Sequence, residues 1–477
     1  MSDYLLRLYH MMPGPFRSAV ATVHGYRLRR WRYGPELERL VEEALERETW
    51  TQARWKAWQE ERLAYILHRA ATHVPYYREQ WMARRRRGDR SSWENLENWP
   101  ILDKEPLRSD PHAFLADDCD PRSMYQEHTS GTTGKPLRLW WSRDTVRNWY
   151  ALFEARWRRW YGVSLADRWA IIGGRLVAPV SQRRPPFWVW NAAMNQLYMS
   201  AYHISPSLAP HYLDALARYR VRYLWGYTSS LHALALDALR GGRSDLKMRV
   251  VITNAEPVSE RQKQVIERAF QCPVRETYGM GEAVAAASEC GVGRLHLWPE
   301  AGLVEVLDHG EPTAPGAPGD MICTGLFNAD MPLIRYRVGD RGALQEPAAC
   351  GCGRGLPLLA YVEGRSGDVL YSADGRRIGR LGPVFKAEMP LHEAQIIQEA
   401  LDHVRVRYVP APGFTAEDAR TIVRRLQDRM GAVAVTMEEV AEIPRGPNGK
   451  FRAVVCELPP EQRVGTREEE TSTASPG

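Results

Sequence analysis

From about Asp120 onward, short β-like runs alternate with amphipathic helical stretches, and this alternation restricts the possible folds more than any other feature of the sequence. RYLWGY, residues 222–227, precedes the helical pattern SSLHALALDAL. RVVIT, residues 249–253, precedes a helix that we expect to begin near Ser259. Strands that alternate with helices form parallel sheets, and such sheets bind ligands at the carboxyl ends of their strands. The sequence therefore predicts an α/β fold with its functional site at that edge.

The chain is too long, at 477 residues, for one compact core, and its patterns divide it into four segments. Residues 1–120 have helical periodicity and predict a helical region of a large domain. Residues 121–366 predict the core of that domain, in which short strands after Leu303 form a β subdomain. Residues 367–460 predict a small C-terminal domain, and the charged and small residues of 461–477 predict a disordered tail.

Charge and hydropathy limit the expected partners and location. A net charge of +6 is modest for this length and argues against a nucleic-acid partner. No stretch has the pattern of a signal peptide or of a transmembrane helix, which favours a cytoplasmic protein. One alternative stays open for Tyr4 to Tyr33, where apolar side chains are interspersed with six arginines. Such a segment is also suited to peripheral contact with an anionic membrane surface.

A glycine-rich segment, HTSGTTGKP at residues 128–136, has the composition of a polyphosphate-binding loop. Glycine lets backbone amides approach an anion closely, hydroxyl groups add donors, and lysine adds a positive charge. The spacing excludes a nucleotide-triphosphatase P-loop, because only two residues separate the glycines and Pro136 follows the lysine. The predicted phosphate-binding residues are Thr129, Ser130, Gly131, Thr132, Thr133, Gly134 and Lys135.

Four further segments follow in order: NAEP at 254–257, ETYGMGE at 276–282, LIRYRVGD at 333–340 and IPRGPNGK at 443–450. Together with the glycine-rich segment they resemble the acyl-adenylate-forming (AMP-binding) superfamily, and within it the phenylacetate–CoA ligase family, including its capsule-biosynthesis-type members. The resemblance implies a large N-terminal adenylate-forming domain with parallel sheets and a β subdomain. It also implies a small, mobile α+β C-terminal domain.

The implied activity is the ATP-dependent activation of a carboxylic acid as acyl-AMP, with release of pyrophosphate and transfer of the acyl group to coenzyme A. The expected cofactors are ATP, Mg²⁺ and coenzyme A, and the expected enzyme is an AMP-forming acid–thiol ligase. Both steps require charge stabilisation and positioning more than an elaborate acid or base. Two alternatives stay open. One is transfer to an amine, a hydroxyl or a carrier protein in polysaccharide or secondary metabolism, and the other is an inactive, zinc-stabilised binding protein.

The resemblance assigns three catalytic roles. Lys135 would bind the β- and γ-phosphates, and Glu282 would hold magnesium, because a hard cation prefers a carboxylate. Lys450 matches the family's mobile catalytic lysine, which reaches the α-phosphate in one arrangement of the C-terminal domain and leaves it in another. Gly367 occupies the hinge position, where the family commonly has an acidic residue.

The resemblance also assigns nucleotide contacts to residues of the other segments. Tyr278 would cover the adenine ring, and Asp340 would accept hydrogen bonds from the ribose hydroxyls. The acid would lie near an aromatic stretch at residues 187–203 and the turn at 225–227, and an aryl acid is favoured only by analogy. The full set of nucleotide-binding candidates in these segments is Ala255, Glu256, Pro257, Glu276, Thr277, Tyr278, Gly279, Asp340 and Arg365.

A metal site is a separate prediction. Seven cysteines in a chain that looks cytoplasmic argue against a disulfide framework. Three thiolates and one imidazole form a closed tetrahedral set for structural zinc. The spacing is not that of a common zinc finger, so two exposed turns with reduced thiols are the alternative. The candidate ligands are Cys290, His296, Cys350 and Cys352.

Overall fold

The structure is a computed structural model that describes residues 3–128, 137–256, 258, 260–346, 349–363, 370–374, 376–378, 381, 384–385, 389–441, 443 and 454–462. Within these ranges, no helix combines the length and the apolar character that a bilayer span requires.

Helices make up the N-terminal region, as the periodicity predicted. The Thr51 side chain accepts the Arg54 amide and caps α4, and Pro75 opens the next helix, where a missing amide costs nothing. Val41 and Ile66, two positions of the apolar pattern, are fully buried. The helices are α1 (Asp3–Met11), α2 (Gly14–Arg32), α3 (Leu37–Arg47), α4 (Gln52–His73), α5 (Pro75–Arg86) and α6 (Lys104–Ser109).

A hairpin and a long helix lead into the main sheet. Strands β1 (Tyr125–His128) and β2 (Arg138–Trp141) pair in antiparallel fashion, with His128 opposite Arg138. The glycine-rich segment therefore connects two paired strands. Helix α7 (Arg143–Trp157) follows and is capped by the Ser142 side chain, which accepts the Thr145 amide.

Thirteen strands form one continuous mixed sheet. They are β3 (Trp169–Gly173), β4 (Trp188–Asn191), β5 (Gln196–Ser200), β6 (Tyr223–Tyr227), β7 (Val250–Asn254), β8 (Val274–Gly279), β9 (Ala286–Glu289), β10 (Leu295–Leu297), β11 (Gly302–Asp308), β12 (Glu311–Pro312), β13 (Gly319–Gly325), β14 (Tyr336–Leu344) and β15 (Leu358–Glu363). Their order across the sheet is β12-β11-β13-β14-β15-β10-β9-β8-β7-β6-β3-β5-β4.

The central strands β5-β3-β6-β7-β8 are parallel, as the strand and helix alternation predicted. Helices α8 (Ala209–Arg218), α9 (Thr228–Arg240) and α10 (Glu260–Phe270) lie between them in the chain. Side chains alternate between two cores: Trp225 packs with α7 and the N-terminal helices, whereas Leu224 packs with α8, α9 and α10. Both faces are covered, which is typical of parallel sheets.

The predicted β subdomain is not a separate sheet. Strand β9 pairs with β8 in antiparallel fashion, with Tyr278 opposite Ala287, and the remaining antiparallel strands continue outward from it. The α/β class of the large domain is confirmed, but its parallel and antiparallel parts share one sheet. Hydrogen bonding therefore runs unbroken from the parallel strands to the strand that carries Asp340.

The smaller C-terminal domain has a sheet of its own, which confirms the predicted two-domain organisation. Strands β16 (Leu370–Tyr371) and β17 (Arg377–Ile378) precede it, and its elements are β18 (Leu391–Ala400), β19 (His403–Pro410), α11 (Ala416–Met430), β20 (Ala434–Glu439) and β21 (Val454–Cys456). The strand order is β20-β19-β18-β21. Strand β19, helix α11 and strand β20 form a parallel crossover unit.

The two domains contact each other through apolar and polar side chains. Tyr202 of the large domain joins the apolar core of the C-terminal domain. Arg376, which is buried, donates hydrogen bonds to the carbonyl of Tyr202 and, at 3.0 Å, to that of Met430. Arg183 forms an ion pair of 2.7 Å with Asp374. The contact thus combines apolar packing, to which Val180 also contributes, with polar bonds.

Candidate active site

Two predicted nucleotide-binding segments meet at the carboxyl ends of neighbouring parallel strands. NAEP begins at the last residue of β7, and ETYG ends β8. Thr253 lies opposite Glu276 in the ladder, and the Thr277 hydroxyl donates to the Thr253 carbonyl at 2.7 Å. The fold therefore brings together segments that are about twenty residues apart in the chain, at the edge where parallel sheets bind ligands.

A third segment reaches the same place through a side-chain contact. The Tyr278 hydroxyl on β8 donates to Asp340 Oδ2 on β14 at 2.8 Å. Three strands separate β8 from β14 in the sheet order, so this bond joins distant parts of the sheet. It sets an aromatic face beside a carboxylate. A nucleoside offers the complementary pair, a flat base and a diol that can donate two hydrogen bonds to one carboxylate.

Glu282 lies just beyond β8, and its carboxylate is almost fully buried. The Tyr336 hydroxyl donates to Glu282 Oε1 at 3.0 Å, and Lys104 Nζ lies 3.9 Å from the same oxygen. Together these groups fix the orientation of the carboxylate. An oxygen donor of this kind suits a hard divalent cation, so Glu282 fits the predicted magnesium role.

Neither Lys104 nor Tyr336 was predicted from sequence as part of the site. Tyr336 belongs to the LIRYRVGD segment, so a signal was present and no role was assigned to it. Lys104 precedes Tyr336 by more than two hundred residues and lies outside all five segments. Backbone bonds bring it near: the Leu102 amide donates to the Arg335 carbonyl, and the Arg337 amide donates to the Leu102 carbonyl, both at 2.9 Å.

Three residues with left-handed backbone geometry adjoin these segments. Ala255 has φ of 63°, Ala283 has φ of 54° and Arg335 has φ of 46°. Such a conformation costs a residue with a Cβ atom about 1 kcal/mol or more. Strain of this type persists where the surrounding structure enforces it, and it concentrates at functional sites. Its position beside NAEP, Glu282 and Tyr336 agrees with a site there.

The Glu256 side chain points toward the start of α9. Its carboxylate accepts the Ser229 amide at 2.7 Å and the Ser229 hydroxyl at 3.0 Å, and its carbonyl accepts the Thr228 hydroxyl at 2.9 Å. These bonds satisfy donors at the first turn of α9. The carboxylate therefore stabilises a helix start, and a part for Glu256 in an adenine pocket would depend on its backbone.

Glu276 has an unusual protonation equilibrium. Burial and the nearby negative charge of Glu289 raise the pKa of Glu276 to about 7. The Glu276 amide donates to Glu289 Oε2 at 2.8 Å, and Lys263 pairs with Glu289 at 2.6 Å. A neutral carboxyl at position 276 therefore exists in part near neutral pH, two residues before the predicted adenine-covering Tyr278.

Several predicted residues lie outside the described residues. They are Thr129, Ser130, Gly131, Thr132, Thr133, Gly134 and Lys135 of the glycine-rich segment, Pro257, Arg365, Gly367 and Lys450. Their assignments stay predictions.

Five aromatic residues from the two segments expected near the acid, 187–203 and 225–227, do not pack in one apolar cluster. Trp225 stacks on Phe153 at 4.6 Å in the main core. The others divide among three further clusters: Trp188 and Trp190 pack with the α8 to α10 core, Tyr202 with the C-terminal domain, and Tyr198 with a small cluster under α2. Two of them also bond to neighbouring backbone groups: the Tyr198 hydroxyl accepts the Arg175 amide at 3.2 Å, and the Tyr202 hydroxyl donates to the Gly174 carbonyl at 2.9 Å. The position of the acid stays a prediction.

The four predicted metal ligands converge although they come from two distant segments. Their ligand atoms all lie within 4.8 Å of one another. Cys290 Sγ is 3.8 Å from Cys350 Sγ, and Cys352 Sγ is 3.4 Å from His296 Nε2. Tetrahedral zinc, with bonds of about 2.3 Å to sulfur and about 2.0 Å to nitrogen, separates two sulfurs by about 3.8 Å and a sulfur and a nitrogen by about 3.5 Å. The observed spacing fits such a site.

The surroundings orient the imidazole for metal binding. Nδ1 of His296 lies 3.2 Å from the Leu356 carbonyl, so it is the protonated nitrogen and Nε2 faces the thiols. Burial lowers the pKa of His296 to about 4, which keeps the ring neutral. Arg354, two residues after Cys352, stacks on Trp160 at 4.0 Å and pairs with Glu48 at 2.9 Å. The cluster is thereby tied to the N-terminal helices.

Comparisons with known sequences agree with this geometry. The family described as AMP-binding enzyme matches residues 55–330, and the family described as CapK C-terminal domain matches residues 370–457. The chain is 24% identical to protein CapK of Staphylococcus aureus over 77% of this chain and 82% of that protein. It is 25% identical to a phenylacetate-coenzyme A ligase of Thermus thermophilus over 89% of this chain and 99% of that protein.

Solved structures with a similar fold include 2-hydroxyisobutyryl-CoA ligase in two states. The thioesterification-state structure, with 2-HIB-AMP and CoA, gives a TM-score of 0.55 at 20% identity, over 86% of this chain and 91% of that chain. A postadenylation-state structure gives a TM-score of 0.54 at 19% identity, with the same coverage.

The fold is thus that of the adenylate-forming ligases. The chain belongs to the AMP-binding enzyme superfamily, together with phenylacetate-coenzyme A ligases and CapK-type proteins.

Proposed function

We propose that this protein activates a carboxylic acid with ATP, forming acyl-AMP and releasing pyrophosphate. The observation that carries the proposal is the bond between Tyr278 and Asp340, which places an aromatic face and a ribose-type acceptor side by side. Glu282, held by Tyr336, lies four residues beyond Tyr278 and supplies the metal ligand that a polyphosphate requires. Base, sugar and phosphate functions are thus contributed by one edge of the sheet.

The roles of the chain's own groups follow from the charges of the reaction. Glu282 would hold Mg²⁺, which when bound neutralises phosphate charge. Tyr336 keeps the carboxylate oriented, and Lys104 adds positive charge beside it. Lys135 would stabilise the charge that develops on the departing pyrophosphate. Lys450 would reduce the repulsion between the incoming carboxylate and the α-phosphate. Preorganised charge of this kind is the usual main contribution to catalysis of such steps.

Coenzyme A is the proposed acyl acceptor, and the protein is proposed to act in the cytoplasm. Phenylacetate-coenzyme A ligases match across most of this chain, which supports a thiol acceptor and an aryl or similar acid. A second candidate is transfer to an amine, a hydroxyl or a carrier protein in capsule polysaccharide biosynthesis. The match of residues 370–457 to the CapK C-terminal domain favours it, because the C-terminal domain is expected to govern the acceptor step.

Pyrophosphate release should require the correct acid and should separate these candidates. We expect release only when ATP, Mg²⁺ and one acid of a tested panel are present, because acyl-AMP formation expels pyrophosphate and not phosphate. Faster turnover on addition of coenzyme A would support the thiol acceptor. Release of orthophosphate, or no release with any acid of a broad panel, would contradict the adenylation proposal.

The cysteine and histidine cluster is proposed to bind one structural zinc ion. All four candidate ligand positions of a tetrahedral site are occupied by protein atoms, so no position stays open for substrate. Because Cys290 and His296 lie on one part of the sheet and Cys350 and Cys352 on a distant loop, the ion would cross-link them. Its contribution is therefore to stability and not to the reaction.

Substitution of one ligand should remove zinc and lower stability together. Elemental analysis of untagged protein should give about one zinc per chain, and Cys350→Ser should lower both zinc content and melting temperature. Cys272→Ser is the matched control, since Cys272 is also buried but lies away from the cluster. Zinc-free protein whose melting temperature is unchanged by a chelator would contradict a structural metal.

A further inference from the structure

The first two helices carry a concentrated apolar surface. Of the twelve large hydrophobic side chains that are exposed in the described part of the chain, eight lie on α1 and α2. Met11 is 81% exposed and Val23 is 72% exposed. A concentration of exposed apolar side chains on one segment is typical of an interaction site. This N-terminal apolar surface consists of Tyr4, Leu5, Leu8, Met11, Phe16, Val20, Val23 and Tyr26.

The polarity of α2 is reversed relative to an ordinary surface helix. Ser18, Thr22 and Arg29 share one side of the helix and form hydrogen bonds of 3.1 to 3.4 Å with residues 190–193, on and beside the edge strand β4. Arg17, which is buried, donates to the Val177 carbonyl at 3.1 Å. A surface helix normally turns its apolar side to the protein. Along residues 16–26 of α2, polar side chains bond to the protein and the large apolar ones face outward, whereas further along the helix Leu28 is buried and Trp31 packs against the main core.

Helix α2 packs closely against the protein. A Cβ atom added at Gly25 would lie 2.1 Å from Asn191 Oδ1, so the buried Asn191 side chain on β4 would have to move. At Gly14, a Cβ atom would lie 2.7 Å from Pro186 Cγ. The outward direction of Phe16, Val20 and Val23 is therefore fixed by close packing on the opposite side.

Positive charge surrounds the apolar surface. From Tyr4 to Gly34 the sequence has six arginines and no aspartate or glutamate. Arg27 and Arg30 are exposed and continue, at helical spacing, the face of Phe16, Val20 and Val23. Burial and neighbouring arginines lower the pKa of His24, which agrees with a positive local potential.

We propose that α1 and α2 bind the protein to the surface of an anionic lipid bilayer. The apolar side chains would enter the boundary between headgroups and acyl chains, and the arginines would pair with lipid phosphates. A second copy of the chain is a poorer occupant. A symmetric dimer would place this patch against itself and bring the exposed Arg7, Arg27 and Arg30 of each copy together. The inference is independent of the proposed reaction.

Vesicle flotation of the full-length protein tests whether the exposed apolar side chains contribute to membrane binding. The protein should float with vesicles of equal parts phosphatidylglycerol and phosphatidylcholine. Met11→Ser with Val23→Ser should lower the partition coefficient about tenfold or more, because several buried CH₂ groups are lost. The matched control is Met82→Ser with Val292→Ser, which removes the same side chains from exposed positions elsewhere, and it should bind as the wild type does. Unchanged melting temperatures would show that both pairs fold.

Charge substitution tests the anionic requirement. Arg27→Gln with Arg30→Gln should weaken binding about thirtyfold, at about 1 kcal/mol per arginine, whereas Arg86→Gln with Arg87→Gln should not. Vesicles of phosphatidylcholine alone should bind much less protein. Equal binding to both vesicle types, or equal losses in the test and control pairs, would overturn the proposal. So would a dimer in solution that the Met11 and Val23 changes dissociate while vesicles bind no protein.

Discussion

Glu282→Gln should slow acyl-AMP formation by on the order of a hundredfold, because the amide keeps the shape of the side chain and loses the charge that a divalent cation needs. The carboxylate is buried and receives the Tyr336 hydroxyl at 3.0 Å, so the substitution leaves a similar hydrogen bond in place. The expected signature is a raised Mg²⁺ concentration for half-maximal pyrophosphate release. Tyr336→Phe should shift the same dependence in the same direction by a smaller factor, since it frees the orientation of the carboxylate and keeps its charge.

Glu267→Gln provides the control for this measurement. Glu267 lies on α10, and its carboxylate accepts the amide of Val274, the first residue of β8, at 3.0 Å, so the same chemical change is made at the end of β8 opposite to Glu282. The control should keep the wild-type Mg²⁺ dependence. If Glu282→Gln also keeps it and only lowers the melting temperature, Glu282 is a structural acid and the magnesium ligand lies elsewhere.

Local sequence signals were sufficient for the parallel part of the fold. RYLWGY and RVVIT are apolar, rich in β-branched and aromatic residues, and followed by amphipathic helices, and they form β6 and β7 as predicted. Helix α10 begins at Glu260, next to the expected Ser259. The joining of the antiparallel strands to the same sheet had no local signal, because strand order is decided by pairing between distant segments.

Strand β18 shows how tertiary pairing overrides composition. LHEAQIIQEA is rich in glutamate, glutamine and alanine, which favour helices, and no element was predicted there. In the structure it pairs on both sides, with Ile396 opposite Val406 of β19 and opposite Val454 of β21. Buried Gln398 accepts the Tyr371 amide at 2.8 Å, so even its polar side chain is satisfied inside the domain.

The candidate site was predictable where its chemistry lies in compact segments. Tyr278, Glu282 and Asp340 were all singled out from short motifs, and the structure brings them to one edge of the sheet. Lys104 was not predicted from the sequence. It lies near Glu282 because Leu102 forms backbone hydrogen bonds with Arg337 of β14 and with Arg335, which precedes that strand. The reversed polarity of α2 was likewise hidden, since its apolar periodicity alone does not tell which side faces the protein.

Substitution of Lys450 is expected to slow acyl-AMP formation and to leave acyl-AMP consumption nearly unchanged. Lys450 belongs to the segment that matches the family's mobile lysine, and its assignment depends on that resemblance, because it lies outside the described residues. The C-terminal domain contacts the large domain through an interface that includes Val180 and Tyr202, and through the exposed pair of Arg183 and Asp374. Exposed ion pairs contribute about 0 to 1 kcal/mol, so this part of the contact opposes domain rotation little.

Lys450→Ala should therefore depress acyl-AMP formation by on the order of a hundredfold or more, through loss of charge stabilisation at the α-phosphate. The same variant should consume the synthetic acyl-AMP of the acid identified by pyrophosphate release at nearly the wild-type rate, because the lysine is expected to have left the site by then. Lys247→Ala, at an exposed lysine far from the motif, should change neither rate. Gly367→Pro should show the opposite asymmetry, since a fixed φ at the expected hinge hinders rotation more than the first step. Equal slowing of both half-reactions by Lys450→Ala would mean that the lysine only stabilises its domain, and the two-arrangement mechanism would then not apply to this protein.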